Sequence, residues 1–172
     1  ELKISCWTGR KKDKSASAKV TDDNDAEKGT ASVNKMLLGK CDELIAIQKF
    51  VANSRNINYD ATMPWSDLGQ RLLTMPVYFK HHPILTGLQT EFYRMADAFC
   101  NGYWVEVSRA QARIGSLHQA EDYPSEESIR SKFSFTISYI PLPDAGDFRI
   151  DIGNEQQQVL SDHYSEYYNK QL

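Results

Sequence analysis

From Leu85 to Leu117 the apolar residues Leu85, Leu88, Phe92, Met95, Phe99, Tyr103, Ala110, Ile114 and Leu117 recur at close to a helical period. A helix over about 84–118 would be about 50 Å long at about 1.5 Å per residue, and a stripe of that length must be laid on a partner. A second amphipathic stretch offers itself. From Ser32, an N-cap residue type, Val33, Leu37, Cys41, Leu44, Ile47 and Val51 repeat at steps of three and four, predicting a helix over 33–56. The two stretches together predict a long antiparallel helical hairpin.

The chain ends carry a different period. Leu2, Ile4 and Cys6 alternate with Lys3, Ser5 and Trp7, as expected of a half-buried strand near 2–7. Phe133, Phe135, Ile137 and Tyr139 alternate with Ser134, Thr136 and Ser138, and Phe148, Ile150 and Ile152 with Asp147, Arg149 and Asp151, predicting strands near 133–140 and 147–152. A two-stranded hairpin is marginal alone. The fold class expected is therefore α+β, with a small antiparallel sheet of about three strands joining the chain ends against the helical hairpin. Ser125 followed by Glu126 and Glu127 marks the start of a short helix before the second strand.

Two stretches interrupt this pattern. Residues 9–31 place Arg10, Lys11, Lys12, Lys14 and Lys19 ahead of Asp22, Asp23, Asp25 and Glu27, with almost nothing apolar, and read as a mobile charged loop. Between the two predicted helices, Met63, Trp65, Leu68, Leu72 and Leu73 are too apolar for a wet loop and suggest a short helical turn against the core. The last residues, with Val159, Leu160, His163, Tyr164, Tyr167 and Leu172 at helical spacing, read as a helix without a stop signal.

With 172 residues and 41% hydrophobic content, one domain over 1–172 is expected. The chain starts at Glu1 and stops inside an apparent helix, so it reads as the N-terminal part of a longer protein. The net charge of −3 argues against a protein coated in basic surface while leaving room for a local basic stripe. Three widely spaced cysteines, Cys6, Cys41 and Cys100, give neither a disulfide framework nor a zinc spacing and point to a reducing, cytoplasmic setting. No apolar run approaches the roughly 20 residues of a membrane span.

The segments "ISCWTGRKK", "TMPWSDLGQRLL", "DYPSEESIRSKFSF" and "PLPDAGDFRIDI" resemble the ordered landmarks of a family of uncharacterised proteins carried by bacteriophages and integrative elements. The family has no established activity to transfer to any residue. The resemblance implies a setting, since members are often encoded beside recombination, single-strand-binding and AAA-type ATPase genes. It thereby implies an accessory protein of DNA replication or recombination inside the host cell.

The side chains that could carry chemistry are few. Arg10, Lys11, Lys12 and Lys14 beside Trp7 form the one basic and aromatic cluster suited to phosphates and a stacked base, the alternative being a solvated loop. Asp144, Asp147 and Asp151 around Arg149 resemble half of a metal-dependent nuclease site, but no further acid and lysine complete it, and exposed strand charges are the better reading. His81 and His82 diverge on a helix, cannot easily share a metal ion and read as a helix-start surface, while His118 and His163 have no nucleophile nearby and read as surface or boundary residues. Cys41 and Cys100 lie on apolar stripes as small core residues. Tyr164, Tyr167 and Tyr168, with Tyr103 and Trp104, offer an aromatic surface for another copy of the chain.

No catalytic or cofactor motif stands out, so a binding protein is expected over an enzyme, without cofactor or metal. The partners that the resemblance implies are single- or double-stranded DNA, or the proteins that replicate and recombine it. A self-assembling scaffold is the alternative, and a nuclease a distant third.

Overall fold

The computed structural model describes residues 1–65 and 70–140. Its centre is a pair of antiparallel helices, α2 (Asp42–Ala61) and α3 (Met75–Ile114). Near the start of α3, His81 hydrogen-bonds Asn58 near the end of α2, and at the far end Arg113 donates to the carbonyls of Leu38 and Lys40 just ahead of α2. The predicted apolar stripe is the interface: Phe92, Phe99, Tyr103 and Ala110 are buried in one cluster with Leu44, Ile47 and Val51 of α2, and Leu85 is buried near Asn58 at the end of α2.

The chain ends meet as expected. Strands β1 (Leu2–Ser5) and β6 (Ser134–Ile137) pair antiparallel, with Ile4 opposite Phe135, and both of these residues enter the core. The free side of β6 is occupied by α3. Tyr93 Oη accepts from the Phe135 amide at 3.1 Å, and Gln89 donates to the Phe135 carbonyl at 2.7 Å. Before β6, Ser125 caps the short helix α4 (Glu126–Arg130) by accepting from the Ser128 amide, and Ile129 is fully buried. The expected third strand at 147–152 and the closing helix lie outside the described residues.

The expected 9–31 loop requires correction. Arg10–Asp13 is strand β2, Lys14–Asp22 is helix α1, and Val33–Met36 is strand β3, paired antiparallel with β2. Asp13 caps α1 through Ala16, and the buried Ser17 hydroxyl links the helix to both strands, donating to the Asp13 carbonyl and accepting from the Val33 amide. Ser17 and Thr21 stand where apolar residues would sit in an ordinary core, so no hydrophobic pattern marks this unit. The same pairing corrects the partner helix, which begins at Asp42 instead of 33. Val33 is spent on β3, and Gly39 at φ 59° turns the chain between strand and helix, a backbone angle glycine adopts without a Cβ penalty.

Two more boundaries moved. Helix α3 begins at Met75 and runs through Pro83, because His81 and Leu85, each 2% exposed, anchor its first turns in the core. Before it, β4 (Met63–Pro64) pairs antiparallel with β5 (Arg71–Leu72) over two residues, and residues 66–69, at the middle of the expected helical turn and including Leu68, lie outside the described residues. Arg71 holds this pairing by donating to the Thr62 hydroxyl and carbonyl and lying over the Tyr59 ring. Past α3, Leu117 is 54% exposed in a 3-10 turn, so the stripe ends a turn earlier than its period suggests. Among the described residues no helix is long and apolar enough to cross a membrane.

Candidate nucleic-acid interface

Pairing partners in an antiparallel ribbon point to the same side. In the β2–β3 ribbon, Arg10 faces Met36 and Lys12 faces Asn34, and all four are exposed on the outer side. The inner side carries Lys11 opposite Lys35. Both reach Asp122, which follows α3 in a 3-10 turn (Ala120–Asp122). Lys11 lies at 2.6 Å, and Lys35 pairs with the second oxygen. Burial alone would raise the Asp122 carboxyl, but hydrogen bonds from the two lysines and their charges outweigh it and hold the group below the usual carboxylate range. Tyr123 adds a hydrogen bond of 2.7 Å to the Leu37 carbonyl. The ribbon is therefore clamped from below, leaving its outer face presented to solvent.

This geometry sorts the predicted cluster. Arg10, Lys12 and Lys14 are exposed, and among the described residues none has a carboxylate within 4.0 Å, whereas Lys11 is committed to Asp122. Trp7 departs from expectation. It is 8% exposed, edge-on to Tyr103 at 5.8 Å and tilted against Phe99 at 6.3 Å, so its ring face is not offered to a base. The strand alternation that placed Trp7 on a polar face ends at Ser5, and the chain then turns the indole inward.

The turn from Trp7 into the ribbon opens a cleft against α2 of about 310 Å³. Cys6, Trp7 and Val51 form its apolar wall, and Thr8, Arg10, Gln48 and Arg55 its polar rim. Gly9 makes the turn possible at φ 65°, and a Cβ there would stand 2.9 Å from Leu44 Cδ2. Gln48 fixes the segment by donating to the carbonyls of Trp7 and Thr8, and Arg55 donates to the Ile4 carbonyl at 2.8 Å. Arg55 was not anticipated. Burial pushes the Cys6 thiol up to about 11 against the pull of the nearby Arg55 charge, so Cys6 is a neutral wall and no nucleophile. The available signal for Arg55 was compositional: from Leu44 to Tyr59, α2 carries Lys49 and Arg55 and no acid.

The other candidates separate just as clearly. Cys41, Glu43 and Glu106 bring three metal-type ligand atoms within 4.8 Å of one another. However, Glu106 already pairs with Arg109 at 2.5 Å and Arg113 at 3.7 Å, and burial holds the Cys41 thiol up at about 11. Cations in place and a protonated sulfur make this a charge-compensated core group. The adjacent histidines diverge as expected, but only His82, facing the Tyr139 hydroxyl, is at the surface; His81 is 2% exposed on Asn58, which corrects its reading as a surface residue. His118 stacks on Tyr123 at 4.9 Å. Tyr103 belongs to the core, while its neighbour Trp104 is 50% exposed. Asp144, Asp147, Arg149, Asp151, His163, Tyr164, Tyr167 and Tyr168 lie outside the described residues.

Comparison with protein-family models, with curated proteins and with solved structures found no match.

Proposed function

We propose that this chain is a non-catalytic accessory protein that contacts nucleic acid through the outer face of the β2–β3 ribbon. The observation that carries the reading is the pairing register that sets Arg10 and Lys12 on the outer side of a ribbon braced from behind by Asp122, with the exposed Lys14 following at the start of α1 and, among the described residues, no carboxylate within 4.0 Å of any of the three. A two-stranded ribbon is narrow enough to enter the major groove of a duplex, and arginine, lysine and asparagine are the side chains that bond phosphates and base edges there. The acidic run after α1 is less of an obstacle than its closeness in sequence implies. Helix α1 spaces Lys14 from Asp22 by roughly 12 Å along its axis, beyond the Debye length of roughly 8 Å at physiological salt.

A role in replication or recombination of a mobile element is the setting supported by the sequence resemblance alone. Fluorescence anisotropy with single-stranded and duplex oligonucleotides at low and moderate salt tests the reading. Binding that weakens with salt, and is weakened further in a Lys12→Gln, Lys14→Gln double variant, supports it, and no binding at low salt overturns it.

Self-assembly is the second reading. It is favoured by Met75 and Phe79, 64% and 67% exposed one turn apart on α3. Light scattering that finds a monomer at high concentration would remove it.

A further inference from the structure

The cleft between residues 6–10 and α2 has features the ribbon face lacks. It is concave, its wall is apolar, and its rim brings Arg10 and Arg55 together from segments 45 residues apart in sequence. Among the described residues neither guanidinium has a carboxylate within 4.0 Å, and the surface of α2 around Arg55 is free of acids from Leu44 to Tyr59. Two unneutralised guanidinium groups facing one hollow repel each other unless an anion lies between them. Arg55 is also held in place. Its bond to the Ile4 carbonyl tethers one nitrogen of the fork while leaving further N–H donors for a ligand, so less side-chain freedom is lost on binding.

We infer that this cleft is a phosphate-anchored nucleotide subsite: Arg10 and Arg55 bracket one backbone phosphate, and the attached nucleoside lies along Val51 and Cys6. The planar guanidinium fork matches phosphate oxygens, and Thr8 adds a hydroxyl at the rim. The volume of about 310 Å³ stands at the lower end of the roughly 300–1,000 Å³ of small-ligand sites, room for one nucleotide unit and no more. The buried Trp7 ring closes the floor, so the nucleoside is held by apolar contact and not by stacking between rings. Arg10 belongs to both surfaces, which makes the cleft a continuation of the ribbon face. The inference rests on the nucleic-acid reading above in taking the phosphate to be part of a polynucleotide.

The test measures binding of dye-labelled single-stranded and duplex oligonucleotides, and separately of thymidine 5′-monophosphate by NMR shift changes, to the parent chain and three variants. In Arg55→Gln, oligonucleotide affinity is expected to fall about tenfold and the slope of log affinity against log salt to shrink by about one. Monophosphate shifts at residues 6–10 are expected to vanish. Thr8→Glu, an exposed change that puts a carboxylate at the rim, gives the same losses and serves if Arg55→Gln melts early through loss of its bond to Ile4. The Lys12→Gln, Lys14→Gln variant weakens the oligonucleotide and leaves the monophosphate shifts unchanged.

Parent-like affinity and salt slope in Arg55→Gln and Thr8→Glu, with loss only in the lysine variant, overturns the subsite and leaves the ribbon reading standing. Monophosphate binding that needs Arg55, with no oligonucleotide binding at low salt, overturns the polynucleotide reading and keeps a nucleotide site. Equal binding of an acidic peptide overturns the nucleotide assignment.

Discussion

The α2–α3 core and the β2–α1–β3 unit are built from opposite materials. In the core, Phe92, Phe99, Tyr103, Phe133 and Phe135 meet Ile47, Val51 and Ile129 with almost no exposed area, and aromatic centroids stand 5.6 to 6.4 Å apart. In the second unit the buried side chains of the helix are Ser17 and Thr21, and the ribbon is fastened by Lys11 and Lys35 on Asp122 and by Tyr123 on Leu37. Apolar burial is strong, non-directional and cooperative, whereas hydrogen bonds and ion pairs contribute modestly and directionally. The core sets global stability, and the polar unit opens locally at lower cost. Of the cations proposed to bind nucleic acid, Arg10, Lys12 and Lys14 stand on the weaker of the two, where ligand contacts add most to order, and Arg55 stands on α2 of the core.

That contrast can be broken most forcefully in the core. Phe92→Ala removes a ring with 0% exposure and is expected to destabilise the whole chain by about 3 to 5 kcal/mol through lost transfer and cavity formation. A melt showing the parent's midpoint would mean that the stripe is not the core. Asp122→Ala should act on the other side of the divide. It removes the counter-charge of Lys35, whose side chain is 8% exposed and would keep only its bonds to the Leu117 carbonyl and Gln119, and is expected to cost about 1 to 3 kcal/mol. The loss should be read as faster hydrogen exchange at β2 and β3 with the α3 amides unchanged. Uniform loss across both units would show that they do not open separately.

Acid provides a milder probe of the same clamp. The folded Asp122 carboxyl titrates below its unfolded value, so its contribution is complete above the ordinary carboxylate pKa of about 3.9 and is lost as pH falls through the folded value. Protection of the ribbon, corrected for intrinsic exchange, should hold from pH 8 to 5 and decline below about 4. An Asp122→Asn variant should lack that decline. Gly9→Ala imposes a positive φ on alanine and a 2.9 Å approach to Leu44 at the junction of the two units, for an expected loss of about 1 to 2 kcal/mol in a denaturant titration.

The smallest effect sharpens the picture of the core as apolar. Tyr103 Oη is buried with no hydrogen-bond partner among the described residues, and burial pushes its pKa up to about 12. Tyr103→Phe should therefore be neutral or stabilising by up to about 1 kcal/mol. A clear destabilisation would reveal a partner for the hydroxyl.

The same contrast explains what could be read from residues alone. Leu85 to Ala110, Ile4, Phe135 and the Ser125 cap were legible because burial imposes a period on apolar residues and a cap imposes a residue type. β2 was not, since "RKKD" has no apolar alternation and its pairing depends on Val33 to Met36, some twenty residues away. Val33 and Leu37 also fall at steps of four from Cys41, which imitates a helix that Gly39 interrupts. For the candidate interface, Arg10, Lys12 and Lys14 were legible as a charge run, but nothing local could show that Trp7 turns inward, that Lys11 is neutralised by Asp122, or that Arg55 stands across a cleft. Each of those depends on tertiary proximity.

The joining of the chain ends has a consequence in time. The Ser138 amide donates to the Glu1 carbonyl at 2.9 Å across 137 residues, at the end of a sheet in which Leu2 opposes Ile137. On the ribosome β1 emerges well before β6 and lacks this partner until β6 follows, and emergence at about 5 to 20 residues per second leaves it waiting for several seconds at least. The α2–α3 pair, local in sequence, is free to form within that interval, while loop closure delays the pairing of β1. For those seconds a short strand with an apolar face lies open to chaperones, to proteases and to the wrong neighbour.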